Sequence, residues 1–218
     1  MSLTRHNFGD AVALAENLAL HVAGHLASAL KTQGQAVLAV SGGTTPQKFF
    51  EALSREKLDW TKISVTLVDE RQVDETSPRS NARLVKASLI QNEAAVATFV
   101  PLYQNEAQAA KLPRFDVVVL GMGNDGHTAS FFPGGDTLDL ALSEEAPDLV
   151  EISAPGSGEP RVTFSLRRLL AASHLLLHIQ GQDKEATLEK ALGAGETKDM
   201  PVRSVLHSGK PVQVYWCP

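Results

Sequence analysis

His127 is the residue on which chemistry is most readily built, because Asp125 stands two positions before it in Gly121-Met122-Gly123-Asn124-Asp125-Gly126-His127-Thr128. A carboxylate so close can orient an imidazole and stabilise its protonated form, which suits general-base work near neutral pH. The same stretch contains a G-x-G-x-x-G, but a dinucleotide site needs a full helix after the third glycine, and Pro133 stops any helix within about two turns. The acid expected about 20 residues further on would be Glu144 or Glu145, outside any strand end.

Three other segments supply groups suited to an anion. Ser41-Gly42-Gly43-Thr44-Thr45-Pro46 runs from a strand into a helix, and its glycines let backbone N–H groups approach an oxyanion. No Gly-Lys-Ser/Thr follows, so it is not a P-loop. Ala39-Val40-Ser41-Gly42-Gly43 misses the first glycine of a G-x-S-x-G nucleophile elbow, and His207 is the partner a serine hydrolase would have to use. Asp69-Glu70-Arg71 closes a buried strand, where ligands of open α/β sheets bind, and Arg71 has the fork to grip a phosphate. Lys184, in Gly181-Gln182-Asp183-Lys184, lies in a helix's first turn, where the dipole disfavours a cation unless an anion binds there. Arg161, after Pro160, is a further cation.

Two His-x-x-x-His pairs invite a metal. His21 and His25 flank an apolar helix stripe without a third ligand, and His174 and His178 on a strand are ~13 Å apart. Both read as structural.

These loops need a scaffold. Leu14, Leu18, Val22, Leu26 and Leu30 recur every four residues, predicting a helix over Asp10–Lys31 ended by Gly34. Strands are predicted at Ala36–Ser41, Ile63–Asp69, Ala97–Leu102, Asp116–Leu120, Leu149–Ser153, Arg161–Ser165, His174–Gln180 and Val212–Trp216, several of them continuously apolar. Helices fall between many: one capped by Thr44 or Thr45 with Pro46 in its first turn, one opened by Ser77-Pro78, one from about Asp183. Gly134–Gly158 reads as a surface excursion. The alternation predicts an α/β fold with a mostly parallel sheet, and 218 residues at 43% hydrophobic content fit one domain, 1–218.

A net charge of −5 without a basic run argues against nucleic acid and anionic membrane as partners. The single Cys217 suits a reducing cytosol, and no apolar stretch approaches ~18 residues. The expectation is a cytoplasmic monomer or weak homo-oligomer.

Taken in order, Leu38–Pro46, Val68–Arg71, Gly121–Gly134, Arg161–Leu166 and Gly181–Lys184 resemble the 6-phosphogluconolactonase family over most of the chain. The resemblance implies a Rossmann-like fold with helices on both faces, no cofactor, and hydrolysis of 6-phospho-D-glucono-1,5-lactone in the oxidative branch of the pentose phosphate pathway. It implies His127 as base, with Gly42, Gly43, Thr44, Arg71 and Lys184 holding substrate and Arg161 assisting. Asp125 would orient His127, and Asp69 would order water or a sugar hydroxyl. The related glucosamine-6-phosphate deaminases and isomerases share the Gly-Asn-Asp-Gly-His stretch but carry a glutamate where this chain has Phe132, which cannot move a proton. A non-catalytic sugar-phosphate sensor is the remaining alternative, for which the chain has neither a basic helix nor the length of an attached DNA-binding segment.

Overall fold

The computed structural model describes residues 3–155 and 157–218. The chain runs β1 (Leu3–Asn7), α1 (Ala11–Gln33), β2 (Ala36–Val40), α2 (Gln47–Leu53), β3 (Ile63–Leu67), β4 (Asp69–Arg71) and α3 (Asn81–Ser88). It continues through β5 (Thr98–Val100), α4 (Glu106–Ala109), β6 (Val117–Leu120), α5 (Leu138–Leu142), β7 (Leu149–Ile152) and β8 (Arg161–Phe164). The last elements are α6 (Leu166–Leu170), β9 (His174–Gln180), α7 (Gln182–Leu192), α8 (Arg203–Leu206) and β10 (Val212–Cys217).

Helix α1 forms where the four-residue spacing predicts it. The Asp10 carboxylate accepts from the N–H groups of Val12 and Ala13 at 2.8 and 2.9 Å, satisfying two donors that an N-terminus leaves open. Gly34, at φ 75°, ends the helix by donating its N–H to the Leu30 carbonyl. Leu14, Leu18, Val22 and Leu26 are wholly buried against the sheet.

Seven strands form the main sheet in the order β1-β10-β9-β6-β2-β3-β5, every neighbouring pair parallel. All residues of β2 and β6 are buried, as continuous apolar runs require when both faces are covered. From β2 the chain passes outward to β3 and β5, then returns to the other side of β2 as β6 and proceeds to β9 and β10. The β2/β6 boundary is therefore the point at which connections diverge, and a crevice opens there at the carboxyl ends of the strands.

Several details depart from the sequence reading. The strands at 149–153 and 161–165 do not join the parallel sheet; β4, β8 and β7 make a separate antiparallel sheet. The 134–158 excursion contributes α5 and β7, whose Val150 and Ile152 are buried, so part of it is core. Asp69-Glu70-Arg71 is a strand rather than a loop. Neither Thr44 nor Thr45 caps α2, which has Pro46 at its cap position and no side-chain cap. Helix α3 opens at Ser80, whose Oγ accepts from Arg83 N, three residues after the predicted Ser77. No helix among the described residues is long and apolar enough to cross a membrane.

Candidate active site

The loop after β6 closes on itself before it presents a side chain. Thr128 Oγ1 donates to the Gly121 carbonyl at 2.8 Å, and Gly123 N–H donates to the His127 carbonyl at 2.8 Å. The Gly126 carbonyl accepts from Val202 N–H, tying the loop to the segment before α8. Within this frame Asp125 Oδ1 accepts from the His127 backbone N–H at 3.1 Å and lies 2.6 Å from His127 Nδ1. The hydrogen bond from His127 pulls the Asp125 carboxyl down to about 2, more than offsetting partial burial, so it is an anion and can only accept. Nδ1 is then the protonated nitrogen of the neutral ring, and Nε2 carries the lone pair. Gly123 packs so closely that a methyl group there would overlap Nδ1 and Cε1 of the imidazole. The Phe132 ring lies 4.3 Å from it, tilted by 35°.

His127 lines a cavity of about 270 Å³ in the crevice. Gly42, Gly43 and Thr44 contribute its wall after β2, Asp69 and Arg71 the side after β3, Arg161 a position on β8, and Lys184 the first turn of α7. Asp125 touches the cavity only through His127. The candidate residues chosen from sequence thus meet in one place, three cations with one acid among them.

Each cation is held differently. Arg71 Nη1 donates to Asn81 Oδ1 at 2.8 Å and to the Arg79 carbonyl. Arg161 Nη2 donates to the Ser157 carbonyl at 2.8 Å, and its Nη1 stands 3.8 Å from Asp69 Oδ2. Burial lowers the Arg161 pKa, with Asp69 opposing. Burial also lowers that of Lys184, with Asp125 and then Asp183 opposing. Asp69 is itself buried and accepts from Ser130 Oγ at 2.5 Å.

Glu70 faces away from the cavity. Its carboxylate accepts from the N–H groups of Arg71, Asn81 and Ala82, and from Ser80 Oγ, so it anchors the start of α3. Burial pushes its carboxyl pKa up and those N–H groups pull against the shift. The anchored helix brings Asn81 to the cavity, where its amide donates to the Asp69 carbonyl at 3.0 Å and accepts from Arg71. Sequence reasoning did not single out Asn81 or Gln180, which line the cavity, or Ser130, which bonds Asp69, and it read His178, also in the lining, as structural. A Ser-Asn pair opening a helix eleven residues after Glu70 was the available signal.

The serine-hydrolase alternative fails on geometry. Ser41 Oγ accepts from Gly121 N–H at 3.0 Å and bridges β2 to β6. No histidine bonds to it among the described residues, and His207 is exposed at the end of α8. His21 Nδ1 lies 2.7 Å from Tyr215 Oη, and His25 stacks on His174 with centroids 3.6 Å apart. No group of three or more His, Cys, Asp or Glu able to hold a metal occurs among the described residues.

Similarity to known proteins runs the length of the chain. The family model for glucosamine-6-phosphate isomerases/6-phosphogluconolactonase matches residues 9–216. The 6-phosphogluconolactonase of Rhizobium meliloti is 48% identical, with all of both chains covered. That of Mesorhizobium japonicum is 49% identical over 97% of this chain and 94% of its own. The crystal structure of a 6-phosphogluconolactonase from Shewanella baltica superposes with a TM-score of 0.95 at 37% identity, covering 100% of this chain and 98% of that one. The chain belongs to the glucosamine-6-phosphate isomerase/6-phosphogluconolactonase family.

Proposed function

We propose that the chain hydrolyses 6-phospho-D-glucono-1,5-lactone to 6-phospho-D-gluconate, with His127 as the general base. The observation that carries this reading is an imidazole with Nδ1 held by an ionised Asp125 in a cavity lined by three cations. A δ-lactone is already activated toward water, so no covalent nucleophile is needed. His127 Nε2 takes a proton as water attacks C1. The tetrahedral adduct then collapses, the bond from C1 to the ring oxygen breaks, and the imidazolium returns the proton to that oxygen. Asp125 orients the ring and offsets the imidazolium charge, and Asp69 orders the water or a sugar hydroxyl. The phosphate, remote from C1, is held by Arg71, Lys184 and the Gly42-Gly43-Thr44 backbone, with Arg161 assisting, and this binding energy fixes the ring for attack. The reading extends to one domain over 1–218, acting in the cytoplasm as a monomer or weak homo-oligomer in the oxidative pentose phosphate branch, with neither nucleic acid nor membrane as partner.

Proton release on adding freshly made lactone, with spontaneous hydrolysis subtracted, tests the activity directly. A rate no higher than the spontaneous one refutes it. Lys184→Ala and Arg71→Ala are each expected to weaken binding of the phosphorylated lactone by about 1.5–3 kcal/mol, because each removes a charge-assisted contact. The unphosphorylated lactone, lacking the group these cations hold, should be hydrolysed at an almost unchanged slow rate. Equal damage to both lactones would take phosphate binding away from these residues.

The deaminase alternative meets Phe132, an apolar ring against His127 where proton transfer to an opening sugar ring would need a carboxylate. No ammonia release from glucosamine 6-phosphate is expected, and release at an enzyme-like rate would move the chain to that activity. Phe132→Glu is expected to give no efficient deamination either, since a lone carboxylate lacks the surrounding groups to place it.

A further inference from the structure

Strand β9 carries a polar pair where the fold calls for apolar side chains. His178 and Gln180, two residues apart, share one face of the strand with the buried Leu176. Phe49 of α2 meets the His178 ring edge-on, with centroids 6.0 Å apart. His178 is 3% exposed, and burial pushes its pKa down to about 4, so the ring is neutral. Its Nδ1 has no hydrogen-bond partner among the described residues, while its Nε2 lies 3.2 Å from the Gln180 amide nitrogen. An aliphatic side chain at 178 would serve the sheet better, because a buried nitrogen without a partner destabilises the fold. Costs of this kind collect where a site is built, and both residues line the cavity.

Their place in the cavity is as informative as the burial of His178. In the sheet, β9 is separated from β3 by β6 and β2, so Gln180 stands across the crevice from Asp69 and Arg71, which follow β3. A planar amide pinned at one corner still offers one donor and one acceptor, the complement of a hydroxyl. The cations of the cavity match a phosphate, and Asp69 alone does not serve all the ring hydroxyls.

We propose that Gln180 is a substrate-positioning residue that hydrogen-bonds a hydroxyl of the bound sugar, and that His178 fixes the Gln180 amide for this purpose. The proposal rests on the phosphosugar-lactone reading above. Glutamine has a long, rotatable side chain, and without an anchor ordering it on each encounter would consume binding energy. His178 supplies the anchor from a strand, the most rigid element available.

The test measures binding of 6-phosphogluconate and of inorganic phosphate by calorimetry in the wild-type protein and in Gln180→Leu, His178→Leu and the double variant. Gln180→Leu is expected to weaken 6-phosphogluconate about tenfold, the value of one hydrogen bond, and to leave inorganic phosphate unchanged. KM for the lactone should rise by a similar factor, with kcat changing less. His178→Leu should reproduce the loss, and the double variant should lose no more than Gln180→Leu alone. Should His178→Leu fail to fold, His178→Gln, which keeps a hydrogen-bonding group, takes its place and should retain most of the affinity. Unchanged 6-phosphogluconate binding in Gln180→Leu overturns the proposal, as does an equal loss for both ligands. Additive losses in the double variant overturn the role of His178. Failure of the wild-type protein to bind 6-phosphogluconate overturns the functional reading first, and so is distinguishable.

Discussion

Replacing His127 by asparagine is expected to lower kcat by about two to four orders of magnitude while leaving affinity for the lactone nearly intact. Asparagine is close in size and can still donate to Asp125, so the loop bonded through Gly121, Gly123 and Thr128 should persist. What disappears is the lone pair that Asp125 leaves exposed on Nε2. The same atom both accepts the proton of water and returns it to the ring oxygen, so its loss affects both halves of the reaction. Affinity should survive because the cations assigned to the phosphate come from other elements: Arg71 from β4, Arg161 from β8 and Lys184 from α7. Steady-state proton release gives kcat and KM separately, and a thermal melt checks the fold. Near-normal turnover in a folded variant would remove His127 from the mechanism.

Chain proximity made the centre of this site readable in sequence, whereas Gly42, Gly43, Thr44, Asp69, Arg71, Arg161 and Lys184 were legible through their loop or strand-end placement and the family resemblance. Asp125 and His127 are two residues apart, and their 2.6 Å contact needs no tertiary information beyond a tight loop. The sheet was legible for a similar reason: short, largely β-branched runs such as Val117-Val118-Val119-Leu120, bounded by turn residues, suit a strand buried on both faces, and α1 repeats its apolar stripe over six turns. What escaped depends on distant pairing. Strand β1, Leu-Thr-Arg-His-Asn, pairs with β10 alone among the described residues, at the sheet edge, and has little apolar signal. Three consecutive charges at 69–71 read as a loop walling a site at a strand's end, yet they form a strand, because β8 takes the backbone and α3 takes the Glu70 carboxylate. In sequence, the spacing of His178 pairs it with His174, four residues before it. Its real partners are Gln180 and Phe49, the second of them far away in the chain.

Gly123→Ala is expected to cost about two orders of magnitude in kcat with little change in melting temperature. The backbone at Gly123 is open to alanine, since its φ lies outside the left-handed region, so the penalty is steric and local. The added methyl would overlap the His127 imidazole and Asp125 Oδ1 together. With Phe132 packed 4.3 Å from the ring, the imidazole has little room to shift in place, and rotating away breaks its bond to Asp125. Gly126, three residues on, provides the contrast. Its φ of 79° and a Met200 Cβ only 2.8 Å from any added methyl predict a loss of stability instead, because neither the backbone nor Met200 can yield cheaply. If Gly123 acts only by leaving room for the imidazole, its effect must vanish once the imidazole is gone. The Gly123→Ala/His127→Asn double variant should therefore be no slower than His127→Asn alone, a fully non-additive pair. A multiplicative loss would mean that Gly123 serves the reaction by some route other than His127, and normal turnover in Gly123→Ala would mean that the placement of the ring against Asp125 does not limit the rate.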